Sequence, residues 1–251
     1  MEITIIGSGT CVPSLRRAAP AIMVDTGAHK FLLDSGPGTL RQMLHAGITI
    51  NDIDTIVYSH FHADHTADLV PFIFALKYSP GAIRTKNISI IGPPGLKEFY
   101  RCLTLAYGRW IIPEHFTINW IEAASGSITC GSATVKTAPT MHAESSMATR
   151  IELESGQAVV YSGDSEYCAN LVELGRSADL LILECAFPEE MKSIGHLTPS
   201  LAGRIARESR CKKLLLTHFY PPCDESDLLT PLRKEFSGAV ILAEDLMKIC
   251  I

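Results

Sequence analysis

Short runs of apolar residues, broken by glycine-bearing turns, open the chain. Residues 3–6, 21–25 and 30–34 are rich in β-branched and large apolar side chains, with Gly7, Gly9 and Gly27 between them, a pattern that predicts three strands. A helix is predicted over 39–45 after Gly38, a strand over 55–59, a helix over 69–78 and a strand over 88–91. The Gly-Pro-Pro-Gly run at 92–95 then leads into a helix over 96–107. The second half repeats the theme. Strands are predicted over 118–122, 127–130, 133–138, 148–153 and 158–162, followed by a helix over 166–174 and an apolar strand over 180–184. A helix over 198–208 has Thr198 at its N-cap and Pro199 in its first turn. A strand over 213–217, a helix over 225–236 and two short strands close the chain. Strands outnumber helices, and strand pairs precede helices in both halves. This predicts two sheets packed face to face with helices outside, an α/β sandwich.

No tandem repeat or low-complexity linker interrupts this pattern. A chain of 251 residues has room for one large domain or two small ones. One domain over 1–251 is expected, in two pseudo-symmetric halves of roughly 1–130 and 131–251. Lys and Arg number 22 against 27 Asp and Glu, a formal charge of −5, which gives no global pull toward nucleic acid or anionic lipid. No apolar run approaches the roughly 18 residues of a membrane span. The N-terminus MEITIIGSGT lacks the features of a secretory signal, and the eight cysteines include no C-x-x-C pair. A cytoplasmic protein with free thiols, and no membrane partner, is the expectation.

The chemistry concentrates in Tyr58-Ser-His-Phe-His-Ala-Asp-His-Thr66. Here a strand ends and four ligand-type residues follow within six positions: His60, His62, Asp64 and His65. Residues two apart on an extended backbone point the same way, so His60 and His62 can meet one metal ion, while Asp64 and His65 can face a second beyond the turn. One segment cannot complete two coordination shells. His142, Asp164 and His218, each just past an apolar strand, are candidates for the rest. Each also has a plainer reading: His142 a loop histidine, Asp164 a helix cap, His218 a satisfied strand-end histidine.

This HxHxDH run, followed by an isolated His, a Gly-Asp and a final His, resembles the metal signature of the metallo-β-lactamase fold superfamily. The resemblance narrows to the ribonuclease Z-like branch, the tRNA 3′-processing endonucleases. Phe31-Leu-Leu-Asp-Ser-Gly-Pro-Gly-Thr39-Leu-Arg-Gln42, Ile91-Gly-Pro-Pro-Gly-Leu-Lys97, Glu184-Cys-Ala-Phe187 with His196-Leu-Thr198, and Ala243-Glu-Asp-Leu-Met247 are all similar to segments of that branch. It implies a four-layer αβ/βα sandwich. It also implies two divalent ions, with zinc favoured and manganese or iron also suited to the donors. His60, His62 and His142 would hold the first ion, Asp64, His65 and His218 the second, with Asp164 bridging. A hydroxide between the ions would be the nucleophile, with Asp64 orienting it or taking its proton. Asp34 would steady a metal-bound histidine. His196, held by Glu184, would protonate or steady the leaving oxygen. A homodimer is also implied.

Several features depart from that branch. His142 and Asp164 are only 22 positions apart, leaving no room for the long tRNA-gripping arm. Leu197 stands where Ser is common, and Pro37 where an acidic residue is usual. Tight tRNA binding is therefore not expected, since phosphate contacts from Lys and Arg dominate nucleic-acid affinity. Arg16 and Arg17 are candidates to approach a substrate phosphate. The leading expectation is a hydrolase of a small or short phosphodiester. The alternatives are a hydrolase of a carbonyl substrate (lactone, thioester or β-lactam), a sulfate esterase on the same site, and a non-catalytic metal-binding protein. The stretch Trp110–Phe116 is expected in the core or at a dimer contact, and Cys223 is expected to be structural.

Overall fold

The computed structural model describes residues 1–81 and 83–251. The first strand, β1 (Glu2–Gly7), pairs antiparallel with β2 (Ala21–Asp25), and β2 with β3 (Lys30–Leu33). Helix α1 (Thr39–His45) returns the chain to β4 (Thr55–Val57), parallel to β3. A single helical turn, α2 (Ala63–Thr66), and then α3 (Leu69–Tyr78) lead to β5 (Ile88–Gly92). Helix α4 (Leu96–Tyr107) leads to β6 (Ile118–Glu122), and β4, β5 and β6 run parallel. A second sheet opens with β7 (Gly126–Cys130), β8 (Ala133–Pro139) and β9 (Met147–Leu153), antiparallel neighbours in turn. It continues through β10 (Ala158–Tyr161), α5 (Ala169–Leu174), β11 (Leu180–Glu184), α6 (Pro199–Ser209), β12 (Lys213–Thr217), α7 (Leu229–Arg233) and β13 (Ala239–Leu242). Strands β10 to β13 are parallel. The last strand, β14 (Lys248–Cys250), crosses back to pair with β1. The sheet orders are β14-β1-β2-β3-β4-β5-β6 and β13-β12-β11-β10-β9-β8-β7.

Strand alternation explains the layering. In β3, Phe31 and Leu33 point into the core between the sheets, while Leu32 points outward with Ile56 and Ile90. The outward set packs on Met43 of α1, on Leu69, Phe72 and Leu76 of α3, and on Leu96 of α4. The second sheet is covered on its outer face by Leu171 of α5, Ala202 and Ile205 of α6, and Leu232 of α7. The result is the four-layer αβ/βα sandwich.

Two helices are shorter than their sequence patterns suggest. The helix expected over 166–174 starts only at Ala169, because Glu166 is drawn elsewhere: its backbone N–H donates to Met141 O and its carboxylate accepts from the Gly195 N–H. The helix expected over 225–236 reduces to α7 and a preceding 3-10 turn, Pro221–Glu225. Asp227 ends the intervening loop by accepting the Leu229 and Thr230 N–H groups. Thr198 does occupy the N-cap of α6, but its hydroxyl makes no cap bond. Glu189, from the preceding loop, accepts from the Ser200 N–H and hydroxyl instead. The Trp110–Phe116 stretch is divided: Ile111 and Phe116 are buried, whereas Trp110 and Ile112 are exposed. Trp110 lines a shallow apolar hollow with Val70, Phe74 and Tyr107. Cys223 is buried, its thiol donating to Ala186 O at 3.2 Å, as a structural cysteine would be.

Candidate metal centre and active site

Parallel strands gather their carboxyl ends on one edge of each sheet, where side chains from different strands converge. Asp34 follows β3, the His60–His65 run follows β4, His142 follows β8, Asp164 follows β10, Glu184 ends β11 and His218 follows β12. All nine residues singled out from the sequence as ligands or catalytic groups meet at this one edge. Tight backbone packing makes the meeting possible. Gly163 has φ 56°, and a Cβ there would lie 2.4 Å from the Ser59 Cβ, so only glycine lets Asp164 reach across to the β4 loop.

Three overlapping sets of donors lie close enough to share an ion: His60, His62, His142 and Asp164; Asp64, His65 and His218; and Asp164, His196 and His218. The first two use seven different residues. The Asp164 carboxylate spans them. Its Oδ2 lies 3.9 Å from His60 Nε2 and 3.7 Å from His142 Nε2, and its Oδ1 lies 3.4 Å from His65 Nε2 and 3.5 Å from His218 Nε2. In the second group Asp64 Oδ2 is 3.3 Å from His218 Nε2 and 3.7 Å from His65 Nε2.

Hydrogen bonds behind the rings set which nitrogen faces inward. His142 donates Nδ1–H to Gly195 O at 2.9 Å, leaving Nε2 to face His62 Nδ1 at 3.1 Å. His65 donates Nδ1–H to Asp34 Oδ2 at 2.7 Å, leaving Nε2 to face His218. Ser59 donates its hydroxyl to Asp34 Oδ2, so its oxygen accepts from His60 Nδ1–H at 3.0 Å. Asp34 also accepts the Ser59 N–H and the Tyr161 hydroxyl. It sits at φ 57°, in the left-handed region that Asp tolerates better than most residues. Tyr161 comes from the second sheet, so this buried carboxylate ties the two sheets beneath the site.

Electrostatics follow the same plan. Burial, with the neighbouring His65 charge, pushes His60 down to about 2, so its ring is neutral and its Nε2 is free to ligate. Burial and its histidine neighbours also lower His62 and His142. Asp164 is fully buried, which opposes its charge, but the surrounding His218 and His65 outweigh this and hold it well below the usual carboxylate range. Asp64 is likewise lowered to about 2: the hydrogen bond from His218 and the nearby histidine charges exceed the effect of burial.

His196 lies within reach of Asp164 and His218, but its Nδ1 is taken by a carboxylate of its own. Its Nδ1 donates to Glu184 Oε1 at 2.9 Å, and that nitrogen is the one nearest Asp164, at 3.9 Å. Burial opposes its charge, yet the Glu184 hydrogen bond and carboxylate raise its pKa above the ordinary value. Glu184 is fixed by the Ser165 and Ala186 N–H groups, and burial raises its own pKa. Arg16 and Arg17 both pair with Asp224; Arg17 is buried over the Phe219 ring, whereas the Arg16 side chain stays largely exposed. Sequence reasoning missed Ser59, Tyr161, Phe187 and Tyr220 around the site. Adjacency to the ligands could have flagged Ser59, Phe187 and Tyr220. Nothing in the sequence marked Tyr161.

The donor set fits divalent ions of the zinc type. His60 Nε2 and Asp164 Oδ1 are buried polar atoms without a hydrogen-bond partner among the described residues, a costly state in a core unless a cation takes their lone pairs. Imidazole and carboxylate donors converging at 3–4 Å are the chemistry such ions select.

Comparison with known proteins agrees with this geometry. A family profile described as a β-lactamase superfamily domain matches residues 29–219. The chain is 30% identical over 273 residues to a ribonuclease Z of Mycobacterium sp. (strain KMS), covering 99% of this chain and 95% of that protein. The metallo-β-lactamase fold protein YhfI of Bacillus subtilis superposes with a TM-score of 0.84 at 28% identity, covering 99% of this chain and 98% of that one. The human short-form tRNase Z superposes at 0.80 with 26% identity, covering 100% and 99%. The chain belongs to the β-lactamase superfamily, on its ribonuclease Z-like branch, and with it to the metal-dependent hydrolases.

Proposed function

We propose that this chain is a dinuclear metal-dependent phosphodiesterase acting on a small or short diester. The observation that carries the reading is the Asp164 carboxylate facing different histidines with each oxygen, beside a His196 whose Nδ1 is held by Glu184. His60, His62 and His142 would hold one ion, Asp64, His65 and His218 the other, and Asp164 both. Ions bound there would supply activation of water at neutral pH and neutralisation of charge on the attacked phosphorus. Zinc is the favoured metal. Asp64 orients the attacking water or takes its proton. His196 presents Nε2 to the leaving oxygen and protonates it, since Glu184 fixes the ring through Nδ1 and favours the charged form.

Substrate size follows from what joins the strands. Only seven residues, 140–146, connect β8 to β9, where a tRNA-gripping arm would have to stand. With a formal charge of −5 and with Arg16 and Arg17 engaged by Asp224, the chain is poorly equipped to hold a polynucleotide. The eight free thiols suit a reducing cytoplasm, and the reading takes 1–251 as one domain. A homodimer is part of the proposal on resemblance alone.

The test is to quantify bound metal and assay bis(p-nitrophenyl) phosphate beside a lactone, a thioester, a β-lactam and a sulfate ester, with His196→Ala alongside. Diester turnover reduced about 100-fold or more by His196→Ala, with metal content retained, supports the reading. Turnover of a carbonyl or sulfate substrate by the loaded protein, with none of the diester, overturns it.

A further inference from the structure

Beside His196 and His218 stand two aromatic rings that the chemistry above does not use. Phe187 and Tyr220 stack on each other with centroids 4.6 Å apart and planes 18° from parallel. Phe187 is edge-on to His196 at 5.8 Å, and Tyr220 is edge-on to His196 at 6.5 Å and to His218 at 6.0 Å. Both rings are half-buried, so part of each remains open. Local sequence holds them still. Each precedes a proline, Pro188 or Pro221, which confines its backbone to extended conformations, and the Tyr220 N–H donates to the carbonyl of Ala186. The chain joining Phe187 to His196 carries two further exposed apolar side chains, Met191 and Ile194.

We propose that Phe187 and Tyr220 form the leaving-group subsite, and that the preferred substrate is a phosphodiester whose leaving alcohol carries a planar aromatic body. The inference rests on the phosphodiesterase reading, because that reading sets the leaving oxygen at His196. Whatever is attached to that oxygen then lies against these rings. Aromatic faces and edges attract a planar ring over a saturated chain by an amount that corresponds to about a three- to tenfold preference.

The experiment compares two methyl diesters with leaving alcohols of similar acidity, one p-chlorophenyl and one hexafluoroisopropyl, on the zinc-loaded protein. The kcat/KM ratio of aryl to alkyl substrate is measured for wild type, Tyr220→Leu, Tyr220→Phe and Phe187→Leu, with melting temperature and metal content checked for each. The expected result is a wild-type ratio above unity that falls about three- to tenfold in Tyr220→Leu and Phe187→Leu and is kept in Tyr220→Phe. If Phe187→Leu does not fold, the Tyr220 pair carries the test. An unchanged ratio in the leucine variants overturns the inference and leaves the phosphodiesterase reading standing, as does a Tyr220→Phe variant that behaves like Tyr220→Leu. Turnover of neither diester, with a lactone or thioester hydrolysed instead, overturns that reading and the inference with it.

Discussion

Asp34 carries more of the site than its distance from the chemistry suggests. Four donors end on its carboxylate: the Ser59 N–H and hydroxyl, the Tyr161 hydroxyl and His65 Nδ1–H. Asp34→Ala would strand all four in a place water does not reach, at a cost of about 3–5 kcal/mol. Asp34→Asn keeps the left-handed backbone acceptable but turns one acceptor into a donor facing donors, so it too should destabilise. Urea unfolding should show both losses, and zinc titration should show affinity about 10–100-fold weaker. A loss under about 1 kcal/mol for Asp34→Ala would remove this carboxylate as the support of the site. The sequence made the ligands legible because three histidines and an aspartate within six residues have few other uses. Their supports were not legible. Ser59 and Tyr161 are ordinary strand residues until folding brings β4 and β10 together over Asp34, and no local pattern encodes that pairing across about 100 residues of chain. Arg17 shows the converse. Read alone it was a candidate phosphate ligand, yet tertiary contacts commit it to Asp224 and Phe219.

At the scale of elements, strands were readable nearly to the residue, whereas two helices were overextended. Strand ends are set by alternation and by glycine, which are local. The start of α5 is set by the pull of Met141 and Gly195 on Glu166, and that of α7 by Asp227, neither of which shows in a hydrophobic pattern. The start of α6 rests on Glu189 rather than on the Thr198 hydroxyl, so Glu189→Ala should cost about 1 kcal/mol and Thr198→Val little, a contrast that thermal melts can check. Asp179 offers a pH test of strand docking. It accepts the Ala158 N–H at the start of β10 and pairs with Lys212 just before β12. Burial opposes its charge, but the Lys212 and Ala158 hydrogen bonds outweigh that and lower its pKa. A carboxyl with a lowered folded-state pKa stabilises the fold above its unfolded pKa, near 4, and loses that contribution as pH falls through the folded value. Asp179→Asn should therefore cost about 1 kcal/mol or less at pH 7, and the gap from wild type should close on acidification below about pH 4. A gap that stays constant down to about pH 2 would mean that the pair does not stabilise the fold.

At the scale of the whole molecule, the sandwich was legible because strand-pair and helix patterns recur in both halves, though the crossing of β14 back to β1 was not, since three residues carry no topological signal. That architecture makes one further prediction. His60, His62, Asp64 and His65 follow a strand of the first sheet, while His142, Asp164 and His218 follow strands of the second. Divalent ions held between them would join the sheets at their shared edge and remove the unfavourable meeting of converging donors. Binding confined to the folded state stabilises it by RT ln(1 + [L]/Kd), about 2.7 kcal/mol at one hundred times Kd. For a chain of this length, stripping the metal should lower the melting temperature by about 5–10 °C, and returning zinc should restore it. The two apolar cores need none of these donors, so far-UV circular dichroism of the stripped protein should keep its native form below the melt. A single transition in both states is expected if the sheets unfold as one unit through their shared core. Separate transitions in the stripped protein would mean that the ions, rather than the apolar interface, hold the sheets together. No shift in a protein shown to have lost its metal would mean that the donor cluster is already satisfied without it, despite the unpartnered His60 Nε2 and Asp164 Oδ1.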